Sequence, residues 1–110
     1  MGKDRIFGEF SSVKFDNHIL TLGASEEVTY HVANSGSDST SSPYDIYFNF
    51  GRTAIAVSIS ATAACQLIEF NGRTMKTPRT INSGLNKLNI HCEQFKIVSV
   101  AAVTLEVSIK

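Results

Sequence analysis

Apolar residues recur along this chain at every second position. In residues 27–33, Val28, Tyr30 and Val32 alternate with Thr29, His31 and Ala33. Tyr44, Ile46, Phe48 and Phe50 share one side of the next run, with Asp45, Tyr47 and Asn49 on the other. Near the C-terminus, Val103, Leu105, Val107 and Ile109 alternate with Thr104, Glu106 and Ser108. Successive side chains of a strand point to opposite faces, so each segment reads as a strand with one buried side.

The run TAIAVSISATAACQLIEF, from Thr53 to Phe70, is uncharged until Glu69. A bilayer core needs about 20 mainly apolar residues. This run is bounded by Arg52 and Glu69 and studded with Thr53, Ser58, Ser60 and Thr62, so it is no membrane span. Ile55, Val57 and Ile59 are expected on one face with small residues between them, predicting strands over about 54–60 and 65–70.

Turn signals divide the rest. Asp16-Asn17 predicts a turn between Val13 and Phe15 on one side and Ile19 and Leu20 on the other. Residues 34–43, NSGSDSTSSP, contain no apolar side chain and are expected to form an exposed, mobile loop. Asn71-Gly72 is a strong hairpin signal, Pro78 excludes a central strand, and Gly84 marks another turn. LNKLNIHC, FKIVSV and VTLEVSI supply three closing strands, and no segment has the 3.6-residue period of a helix. The fold expected is all-β, an antiparallel sandwich or jelly roll of about eight short strands. Residues 13–110 form its single domain, preceded by an arm or docking segment over residues 1–12.

Formal net charge is zero, which gives no general attraction to nucleic acid or to an anionic membrane. The charge is unevenly spread, with seven acids against three bases in residues 1–45 and the reverse in the remainder. Folding either intermixes these charges or leaves complementary patches suited to head-to-tail or ring association. No apolar stretch follows Met1 and no N-x-S/T sequon occurs, so no signal peptide is expected. Cys65 and Cys92 are then expected as reduced, buried thiols, a disulfide between paired strands being the alternative.

The search for chemistry returns little. There is no G-x-S-x-G, no phosphate-binding glycine loop, no H-E-x-x-H and no C-x-x-C. His18, His31 and His91 are widely spaced, and His91 and Cys92 point to opposite faces of one strand. No catalytic residue, metal or cofactor is expected. Arg73, Lys76 and Arg79 surround the Asn71-Gly72 hairpin, either as a solvated face or as contact cations. The nearest aromatic, Phe70, reads as core, so no base-stacking platform accompanies them. Tyr47 is the one aromatic expected free on an outer face, a thin basis for glycan binding. Ile6, Phe7 and Phe10 place apolar side chains on the arm, which favours a partner that covers them.

From Leu67 onward the sequence LIEFNGRTMKTPRTINSGLNKLNIHCEQFKIVSVAAVTLEVSIK resembles the closing strands of small β-sandwich structural proteins of tailed bacteriophages. The shared pattern is a strand ending in Asn-Gly, a loop with proline, a glycine-led strand at 84–90 and two short apolar strands to the C-terminus. The resemblance implies a non-enzymatic virion component, a capsid decoration, head-fibre or tail accessory protein, made in the host cytoplasm. It implies a homo-oligomer, a trimer first of all, docked on other virion proteins. The rival expectation is a small carbohydrate- or polymer-binding β module using Tyr47 and the polar loops.

Overall fold

The computed structural model describes residues 16–39 and 41–109. The proposed arm, with Ile6, Phe7 and Phe10, lies outside the described residues. Among the described residues ten strands run in order: β1 Asp16–Leu22, β2 Glu27–His31, β3 Tyr44–Tyr47, β4 Ala54–Ala61, β5 Cys65–Asn71, β6 Thr74–Met75, β7 Arg79–Ile81, β8 Gly84–Cys92, β9 Gln94–Ser99 and β10 Val103–Ile109. They build two sheets, one ordered β1-β10-β4-β8 and the other β3-β2-β9-β5-β6, with β7 also on β5.

The pairing is nested. β1 pairs with β10, β2 with β9, β4 with β8, and β5 with β6 and β7, all antiparallel. A long hairpin folded across two sheets gives this order, which is the jelly-roll winding. β3 is an addition outside that scheme, running parallel to β2 at the edge of the second sheet.

The period-two pattern becomes the core directly. Val103, Leu105, Val107 and Ile109 of β10 are buried, as are Val28 and Tyr30 of β2 with the adjoining Val32, and they share one cluster between the sheets. Tyr30 stacks on Phe95 of β9 and on Phe48, with ring centroids 5.0 and 5.8 Å apart. Such aromatic pairs contribute about 1 kcal/mol each beyond the area they bury. Cys65 and Cys92 are buried free thiols.

Three local expectations are corrected, and a fourth is met in part, the polar loop being exposed as expected. Asp16 and Asn17 form no turn; they open β1, paired with Ile109 and Ser108, because β10 supplies a partner along their whole length. Ile55 does not join Val57 and Ile59 in the core. The β4–β8 register slips between Ala54 and Ala56, so Ala54 and Val57 turn inward and Ile55 is left 50% exposed.

The hairpin after β5 forms one residue later than its sequence signal. Asn71 pairs with Thr74, so Gly72 and Arg73 are the central residues, and Gly72 takes φ 60° where a glycine costs least. The polar loop before β3 is tied down along the strand it precedes. Ser39 N–H donates to Asp45 O, Asp45 N–H to Ser39 Oγ, and Tyr47 N–H to Asp38 Oδ1. A loop without apolar groups thus satisfies an edge strand through hydroxyl and carboxylate side chains.

Candidate functional site

Two of the three cations singled out in the sequence, Lys76 and Arg79, come together around an acid. Glu69 shares the parity of Cys65 and Leu67 on β5, so it points between the sheets and is only 2% exposed. A carboxylate there must be paired. Arg79 of β7 reaches it at 2.7 Å and Lys76 at 3.5 Å, while the His91 backbone N–H donates to its Oε1. Arg79 also donates to the carbonyl of Asn89, and Asn71 Nδ2 donates to that of His91. The guanidinium therefore bridges the two sheets.

Arg73 stands apart from this cluster, exposed at the hairpin tip. Lys76 and Arg79 line a shallow depression of about 580 Å³ with Glu69, Met75, Thr77 and Pro78. Behind it the Cys92 thiol is pushed up to about 12, by burial first and by the Glu69 charge second, Lys76 and Arg79 opposing more weakly. Two of the three candidate cations are thus held by an internal partner.

Tyr47 lies on the outer face of the second sheet, as its parity predicts, but not as a free ring. It stacks on His31 with centroids 4.2 Å apart and planes 9° from parallel, and His31 Nε2 meets Asp45 Oδ1 at 2.9 Å. Gly36 crowds the same ring, since a Cβ there would fall 2.5 Å from Tyr47 Cε2 and Cζ. The pairing registers align Tyr47, His31, Gln94, Phe70 and Met75 in one row across the sheet. Lys96 sits 5.8 Å over the Phe70 ring, also on this outer side.

The outer face of the first sheet has a different character. Ile19, Glu106, Ser60 and Leu85 stand in register across its four strands, and the two apolar ends of that row are each 64% exposed. Beside the β4–β8 slip a groove of about 440 Å³ is lined by Ala56, Ser58, Lys87, Leu88, Asn89 and Ser108 among others. Among the described residues no group of three or more His, Cys, Asp or Glu could hold a metal ion, and no helix is long and apolar enough to cross a membrane.

Sequence reasoning passed over Glu69 as the end of an uncharged run, although its alternation with Cys65 and Leu67 marks an inward position. It also passed over Ile19, Ile55 and Leu85 as exposed apolar residues; only the strand order reveals which faces stay uncovered. Compared with models of known families, with curated proteins and with solved structures, the chain matches none.

Proposed function

We propose that this protein is a non-enzymatic structural or accessory subunit that works by associating through its sheet surfaces, of the tailed-phage particle type that its C-terminal half resembles. The observation that supports this reading is the outer face of the first sheet. There Ile19 and Leu85, each 64% exposed, stand on regular strands and not on loop tips, and Ile55, 50% exposed, is turned outward at the β4–β8 slip. Apolar side chains held rigidly outward favour a partner that buries them. At the other candidate positions Arg79 and Lys76 are held by Glu69, and one face of the Tyr47 ring is covered by His31. Jelly rolls host capsid and lectin domains alike, so the fold class does not choose between assembly and glycan binding.

In this reading the chain is made in the host cytoplasm and ends in a virion, contacting copies of itself and other virion proteins. Density-gradient sedimentation of lysate from the source system tests it, following the untagged protein by mass spectrometry. Co-sedimentation with megadalton particles is the expected result. Recovery only as a small free species overturns the particle role.

A further inference from the structure

We infer that β1 is a self-association edge, where two copies join antiparallel across a twofold axis to make one eight-stranded sheet from two four-stranded ones. A strand at a sheet edge presents unpaired N–H and C=O groups, and proteins ordinarily protect such edges. Three of the edge regions here are protected. On β3, Ser39 and Asp38 from the preceding loop bond Asp45 and Tyr47. On β8, Arg79 and Asn71 occupy the carbonyls of Asn89 and His91. Beyond β5, β6 is two residues long and β7 three, the latter directly after Pro78.

Among the described residues β1 has none of these devices. Its seven residues pair with β10 on one side, and among the described residues no strand pairs with the other. From Asn17 to Leu22 it carries no Lys, Arg, Asp, Glu, Gly or Pro.

The outward residues of β1 are Asn17, Ile19 and Thr21, all exposed. That set is symmetric about Ile19, the residue with 64% of its surface open. Antiparallel pairing centred there sets Ile19 against Ile19 of the second copy and Asn17 against Thr21; the latter two side chains are already bonded to Glu106, Ser108 and Thr104 of β10, so the edge backbone and the central apolar pair carry the contact. An isologous contact of this kind closes at two copies, unlike the threefold that the sequence resemblance suggested.

The inference deepens the assembly reading and rests on it for biological purpose, but it is measured on purified protein alone. Sedimentation equilibrium of the full chain is expected to show twice the chain mass. Ile19→Lys should return it to a single chain mass, a lysine at mid-edge being incompatible with a second strand. Leu85→Lys, equally exposed at the opposite end of the same row, should remain a dimer.

As a check independent of that variant, Asn17→Cys combined with Thr21→Cys should cross-link two chains on oxidation, since these positions are too far apart within one strand to bridge. A monomeric wild type overturns the inference. So does dissociation by Leu85→Lys but not by Ile19→Lys, or failure of the double-cysteine variant to cross-link. A dimer absent from particles would remove the particle role and keep the β1 contact. A particle-bound monomer would do the reverse.

Discussion

The Arg79 guanidinium stands 2.7 Å from a carboxylate oxygen of Glu69, a side chain only 2% exposed. The acid belongs to β5 and the base to β7, while the same guanidinium bonds the Asn89 carbonyl on β8. Removing the base leaves a buried carboxylate with only the more distant Lys76 and the His91 backbone N–H as partners. A fully buried pair broken this way costs about 3–5 kcal/mol, and since Arg79 is itself 39% exposed, water recovers part of that. Arg79→Ala is therefore expected to destabilise by about 2–3 kcal/mol in urea unfolding. Lys76→Ala, at 3.5 Å and 46% exposed, should cost about 0.5 kcal/mol. Equal effects of the two would show that Arg79 has no special part in joining the sheets.

How far such a cluster is legible in sequence depends on whether its signal is local. Alternation is local, and it located the inward faces of β2 and β10 residue by residue, because each buries one side against a single core. The slip between Ala54 and Ala56 is not local. It arises from how β4 meets β8, and it turned Ile55 outward against its own pattern. Asp16-Asn17 has the composition of a turn, yet β10 overrides that preference by supplying a partner strand. Arg79, Lys76 and Glu69 were all visible as charges, but their convergence follows from β7 lying on β5 beside β8, a relation no spacing encodes.

The Cys92 thiol gives a prediction for alkaline solution. Burial and the Glu69 charge raise it from 9.0 to about 12. The folded chain therefore keeps a proton that the unfolded chain releases. That contribution is complete below pH 9 and is lost as pH rises toward 12, so stability falls over this window. Burial raises the Tyr30 phenol as well, acting in the same direction. Cys92→Ala should show a shallower alkaline decline than wild type when unfolding free energies are compared at matched pH. An unchanged slope would mean the thiol titrates normally in the fold. In the same native protein, Cys92 and Cys65 should resist a thiol reagent at neutral pH and react only on addition of denaturant.

Tyr30 is fully buried, and among the described residues its hydroxyl has no hydrogen-bond partner. His18 Nδ1 is in the same condition, the two rings meeting edge to face at 6.4 Å. An unpaired buried hydroxyl costs about 1–3 kcal/mol, whereas the ring contacts with Phe95 and Phe48 survive its removal. Tyr30→Phe should thus raise stability, by about 1 kcal/mol. A loss of stability would show that the hydroxyl is satisfied in solution. Phe95→Ala, which removes the ring beneath Tyr30, should destabilise by about 3–5 kcal/mol.

Gly36 and Tyr47 hold the polar loop against β3, and the contact predicts a coupled pair. A methyl group at Gly36 would fall 2.5 Å from Tyr47 Cε2 and Cζ, a separation that real side chains do not tolerate. The ring cannot swing away freely, because it is stacked on His31, which is itself bonded to Asp45. Either the ring leaves His31 or the loop lifts, breaking the Gly36 N–H bond to Asn49 Oδ1. Overpacking of this kind costs about 1–3 kcal/mol, so Gly36→Ala should destabilise by an amount in that range. With Tyr47→Ala already in place the same substitution has nothing to strike, and its cost should fall close to zero. The difference between the two costs, measured by urea unfolding, is the coupling between loop and ring. Equal costs in both backgrounds would mean that the loop packs elsewhere in solution, leaving the Tyr47 ring open on the side away from His31.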